Sequence, residues 1–112
     1  MTRPRWLYHV REAHETGSAG AGDYAPASLE REGFVHCSFR DDVGESARLY
    51  FAPSARLEVL RIDPRRLSAR VEIAHTPRGP MPHVHGPIPS AAIVWVGALG
   101  ELVDAPDEIE DL

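Results

Sequence analysis

The sequence predicts a single mixed α+β domain, and three observations carry that expectation. Two short helical stretches fall in the first half of the chain, and about five short apolar or β-branched runs are interleaved with them and follow them. Several of those runs stand too close together for crossover helices, which argues against a doubly wound sheet. A chain of 112 residues with 43% hydrophobic content also suits one core, because a domain of this size buries roughly two thirds of the surface its unfolded chain exposes.

The first strand is "RWLYHVR" (5–11), where Trp6, Tyr8 and Val10 alternate with Leu7 and His9. "ETGSAGAGDYAP" is small, polar and glycine-rich, a surface loop, and His14 just before it has no evident task. Pro26 can open the helix "PASLERE", which Gly33 then ends. "GFVHCS" (33–38) is a brief second strand. From Asp41, Val43, Ala47, Tyr50 and Phe51 recur near i, i+4, i+7 and i+8, with two aspartates at the start, which predicts an amphipathic helix of about three turns. "RLEVLRID" (56–63), "RVEIAH" (70–75) and "AAIVWVGAL" (91–99) are the later strands, punctuated by "DPRR" and "TPRGPMP". The last is apolar almost throughout and is expected to be covered on both faces. The domain is expected to span residues 1–103. The acidic tail 104–112 has little to bury, so it is expected to be loose or a marginal helix.

Composition narrows the chemistry. No run of about 18 apolar residues is present, and the N-terminus has neither a long apolar region nor a small-residue cleavage site, so no membrane segment and a cytoplasmic protein are expected. Cys37 is the single cysteine, which excludes an intrachain disulfide and a thiolate-rich zinc site. All twelve basic residues are arginine, leaving no lysine amine for Schiff-base chemistry. The net charge of −5 lies largely in the tail, so charge argues neither for nor against nucleic acid, which is not an expected partner.

Six histidines are the conspicuous resource. His83 and His85 project to one side of an extended segment, and with His36, Glu72 or His75 they could ligate a metal. Such pairs arise readily in a histidine-rich chain, and "PHVHGPIP" also reads as a proline-fixed loop, so no metal is expected. Within "GFVHCS", neighbours on a strand point to opposite faces, so His36 cannot serve Cys37 as a base. Cys37 is expected to turn into the core as a small filler, while His36 and Ser38 face a site together. His9, His36 and Ser38 would then line paired strands. Glu72 across a cleft could stabilise an oxocarbenium-like centre, the alternative being that Glu72 is an exposed strand residue and His9 a hydrogen-bonded core histidine.

Several stretches in order, "YHV", "GDYAPASLEREGFVHCS", "ESARLYF", "LEVLRIDPRRL", "VE" and "PHVHGPI", resemble the bacterial family known as domain of unknown function 952, over about residues 6 to 96. Two departures stand out: the family tends to have an aromatic where His85 stands and a tryptophan in the segment that here is "REAHETG". More distantly, "FVHCS" and "VLRID" are similar to the core of RNA 2'-phosphotransferases, a branch of the ADP-ribosyltransferase superfamily.

That resemblance implies a split, mostly antiparallel sheet with two or three flanking helices and an NAD-binding cleft between its halves. It implies that His9 grips the nucleotide and that His36 and Ser38 line the cleft; His85 is a further candidate ligand contact. Arg48 would meet phosphate, and Glu72 or His83 would stand near the acidic catalytic position. Here Val10 and Arg11 follow His9 where the transferases have a small-hydroxyl pair, and Arg48 alone stands for several phosphate-binding arginines, so removal of an RNA 2'-phosphate is not expected. The expectation is an NAD-using transferase or glycohydrolase. The alternative is a non-catalytic domain that binds a small or nucleotide-like ligand.

Overall fold

Two three-stranded antiparallel sheets and two short helices make up the described part of the chain, which is residues 4–13, 22–102 and 105–109 of a computed structural model. The order is β1 (Leu7–Glu12), α1 (Ala27–Glu32), β2 (Val35–His36), α2 (Val43–Tyr50), β3 (Leu57–Ile62), β4 (Val71–Thr76), β5 (Gly79–Val84) and β6 (Ile93–Ala98). One sheet runs β1-β3-β6 and the other β2-β5-β4. The α+β class expected from the sequence is the one observed. The loop over 14–21, with His14, lies outside the described residues.

The β1 edge of one sheet meets the β2 edge of the other. Tyr8 and Ser38 exchange two backbone hydrogen bonds, 2.8 and 2.6 Å, and form the one antiparallel bridge described between the two sheets. Leu7, Leu60 and Ile62 pack with Val35, Cys37 and Val84 in one core cluster, while Tyr8, Val10 and Val59 pack with Val43 and Ala47 of α2 in another. The β1-β3-β6 sheet is therefore apolar on both faces, which is why Leu7 to Val10 are all buried.

Four expectations need correction. The segment "TPRGPMP" is not mere punctuation: Thr76 and Gly79 pair, Pro77 and Arg78 make a two-residue turn, and Gly79 to Val84 form β5, the central strand of its sheet. Pro80 and Pro82 hid it, since proline is unusual in a central strand. Cys37 donates to the Pro82 carbonyl at 3.0 Å, but Pro82 has no N–H to return, and the β2 ladder ends at His36.

The strand "AAIVWVGAL" is covered on one face only, because Ile93, Trp95 and Gly97 turn inward while Val94 and Val96 are exposed. In α2, Val43 and Ala47 are core, but Tyr50 is 60% exposed at the helix end. The described tail residues are packed rather than loose. Ile109 is buried, Tyr8 Oη donates to the Pro106 carbonyl at 2.6 Å, and Arg5 pairs with Asp107 at 3.0 Å. Among the described residues no helix is long and apolar enough to cross a membrane.

Candidate functional site

Past the Tyr8–Ser38 bridge the two edges separate, and the space between them is a cavity of about 480 Å³. His9 and Val10 of β1 form part of its wall, and His36, Cys37 and Ser38 face them from the other sheet. Ser46 and Tyr50 of α2 and Phe51 just after it close one side, and Thr76, Pro77 and Arg78 close another from the β4–β5 turn. Its volume falls within the range of about 300–1,000 Å³ usual for small-molecule sites.

His9 holds the separated edges together. Its Nδ1 lies 2.6 Å from the His36 carbonyl oxygen and its Nε2 2.9 Å from Tyr24 Oη. A carbonyl can only accept, so Nδ1 carries the proton, and the neutral ring's Nε2 accepts from the tyrosine hydroxyl. Burial lowers the His9 pKa to about 4, against the upward pull of the His36 bond, which keeps the ring neutral. Both nitrogens are thus committed to the protein. His9 sits on the cavity wall as the hydrogen-bonded core histidine that the sequence offered as its second reading.

Ser38 is buried with its Oγ 2.7 Å from Ser46 Oγ. One hydroxyl hydrogen serves that bond and the other remains for a ligand acceptor. His36 is exposed and its Nε2 meets Glu32 Oε2 at 2.5 Å, the left-handed turn at Gly33 having brought β2 back beside the end of α1. Cys37 belongs to the core cluster, and burial pushes its thiol up to about 12, so it is inert at neutral pH.

The register of the second sheet builds a row on one face. His36 is opposite His83, and His83 is opposite Glu72. Phe34 stacks on His83 at 3.9 Å between ring centres, and the His36 and His83 rings meet edge to face at 5.5 Å. Burial, with His36 beside it, lowers the His83 pKa and favours the neutral ring. Among the described residues the His83 side chain has no hydrogen-bond partner, so a neutral imidazole stacked on Phe34 stands on the cavity wall with its ring nitrogens available.

Glu72 is exposed and accepts from His85 Nε2 at 2.8 Å, and that bond holds its carboxyl below the usual range. Neither Glu72 nor His85 forms part of the cavity wall. His75, two pleats along β4 from Ile73, stands on the opposite face from Glu72. Among the described residues no three His, Cys, Asp or Glu side chains are grouped so as to hold a metal ion.

Arg48 lies elsewhere. It is 72% exposed, 3.7 Å from Glu45, and borders a second hollow of about 340 Å³ along the Ala47–Phe51 stripe of α2. The arginine at the histidine cavity is Arg78, which the sequence reading passed over because it sits in the turn before the unrecognised β5. A Thr-Pro-Arg-Gly turn between two extended segments was the available signal. Ser46 was also missed, although it lies three residues after Val43 on the buried side of α2.

A family model described as "Protein of unknown function (DUF952)" matches residues 9–96. Among curated proteins no match was found. The solved structure of protein CC0527 from Caulobacter crescentus is similar at a TM-score of 0.72 and 20% identity, over 83% of this chain and 84% of that one. A double mutant of the same protein is similar at a TM-score of 0.67, with equal identity and coverage. At that identity the likeness establishes the fold alone.

Proposed function

Given that the chain belongs to the family of the protein of unknown function DUF952, whose description names no activity, we propose from the site that it binds an NAD-type nucleotide and transfers its ADP-ribosyl unit. The observation that carries this reading is the free, neutral His83 on the wall of a cavity formed where two antiparallel sheets part, with the ionised Glu72 next to it across the ladder. The split sheet agrees with the resemblance to ADP-ribosyltransferases.

In this reading the C1'–N bond to nicotinamide breaks and its electron pair leaves with the nicotinamide. An acceptor hydroxyl or water gives its proton to His83 and forms the new C1'–O bond. The Glu72 carboxylate, beside His83 across the ladder but outside the cavity wall, leaves His85 to stabilise the ribosyl cation at the rim between the two events. Ser38 and Ser46 orient the ribose with their spare hydroxyl hydrogen, and Phe34 fixes the plane of His83. Both His9 ring nitrogens are already bonded within the protein, so His9 walls the cavity and holds the His36 backbone in place without offering a ligand a polar contact.

One observation favours a second reading, a domain that binds the nucleotide without turning it over: Glu72 is exposed and already engaged by His85. Calorimetric titration with NAD, on the native protein and His36→Ala, tests the binding. Nicotinamide release, followed by chromatography, tests the transfer. The transferase reading expects NAD affinity to be lost in His36→Ala, and expects Glu72→Gln to lower turnover by about 100-fold or more with binding little changed. Binding with no nicotinamide released leaves the binding domain. Absence of NAD binding in the native protein sinks both.

A further inference from the structure

Arg78, at the tip of the β4–β5 turn, reaches over the cavity to α2. Its Nε donates to Glu45 Oε1 at 2.9 Å, its Nη2 donates to the Asp42 carbonyl at 3.3 Å, and its guanidinium lies 5.7 Å from the centre of the Tyr50 ring. It is the one arginine among the described residues of the cavity wall. Only 15% of its side chain is exposed, against 49% for Glu45.

The asymmetry matters. A half-exposed carboxylate is a weak, solvent-screened partner for a guanidinium. Glu45 also has Arg48 at 3.7 Å, so losing Arg78 would not leave it unpaired. The guanidinium has five N–H groups in a rigid fork, more than Glu45, the Asp42 carbonyl and the Tyr50 hydroxyl occupy, and that fork matches a phosphate.

We infer that Arg78 is the anion-recognition residue of the cavity and takes a phosphate or pyrophosphate group of the ligand in exchange for Glu45. This rests on the cavity being the ligand site proposed above, and not on any transfer step. It names the ligand class: a phosphorylated molecule whose apolar or nucleoside part fills the cavity while its anionic group lies at the hairpin tip, under Arg78. The ion pair with Glu45 is then a counter-charge that occupies the guanidinium until the ligand arrives. Glu45 competes with the ligand.

The test is titration of the full chain with inorganic pyrophosphate and with ADP-ribose, by calorimetry, on native protein, Arg78→Gln, Arg78→Lys and Glu45→Gln. Arg78→Gln is expected to weaken both ligands by about 10- to 100-fold, the scale of a lost charge-assisted hydrogen bond. Arg78→Lys is expected to recover part of that, since it keeps the charge without the fork. Glu45→Gln is expected to tighten binding, because it frees the guanidinium.

If the contact merely ties the hairpin to α2, Arg78→Gln and Glu45→Gln weaken binding alike, and the inference fails. It fails equally if Arg78→Gln binds as the native protein does, or if the native protein takes neither ligand. NAD binding that ignores Arg78 overturns this inference and spares the nucleotide reading. Arg78-dependent ADP-ribose binding without nicotinamide release spares the inference and overturns the transfer step.

Discussion

His9 shows how much one side chain can settle once its partners are known. From the sequence it was a histidine on a strand, open to a role in gripping ligand or in packing. The His36 carbonyl and Tyr24 hydroxyl use both ring nitrogens, and burial keeps the ring neutral. A pH dependence follows. The unfolded chain binds a proton at this histidine below about pH 6.5 while the folded chain resists down to about pH 4, so stability is full above the first value and falls as pH drops through the window. The loss amounts to something on the order of 3 kcal/mol at about 1.4 kcal/mol per pH unit. Urea unfolding of native protein and His9→Gln from pH 7.5 to 4 checks it: the native curve should fall more steeply, and parallel curves would refute the argument. Arg48 and His85 carry the opposite lesson. Their residue types suited a site, but register and helix phase put them outside the cavity wall, where nothing in composition could have located them.

At the scale of elements, the helices were legible from local rules. Gly33 ends α1 at φ +84° and its N–H bonds the Leu29 carbonyl at 2.8 Å. An added Cβ at Gly33 would meet nothing within 4 Å, so Gly33→Ala isolates the backbone cost. It should lower stability by about 1 kcal/mol, read as a lower thermal midpoint. No change in midpoint would show that the cap relaxes freely. The strand β5 was not legible, because its two prolines break the usual rule for a central strand. They are tolerated since both face β2, which pairs over only two residues, while the ladder to β4 runs unbroken from Gly79 to Val84. With β5 unseen, the row His36, His83 and Glu72 could be suspected from histidine spacing but not ordered, and Arg78 could not be brought to the cavity at all.

Across the whole molecule, the C-terminal residues join what the sequence had set apart as an acidic tail. Ile109 is buried and its N–H bonds the Pro4 carbonyl at 2.9 Å, while the Arg5–Asp107 pair nearby is about a third exposed or more on each side. Burial outweighs charge here. Ile109→Ala should cost about 2–5 kcal/mol, whereas Asp107→Asn should cost less than about 1 kcal/mol, and denaturant midpoints of the two variants compare them directly. Equal effects would mean that the ion pair, not the apolar contact, holds the segment. By itself the sequence determined the α+β class, both helices, the strands other than β5 and the buried Cys37, because all of these follow from periodicity, capping and the alternation of a strand. Only the tertiary structure decided where the two sheets part, which histidine stays free, and which arginine overhangs the cavity. Those depend on contacts between residues distant in the chain, such as Tyr8 with Ser38, His9 with the His36 backbone and Arg78 with Glu45, and no local pattern encodes them.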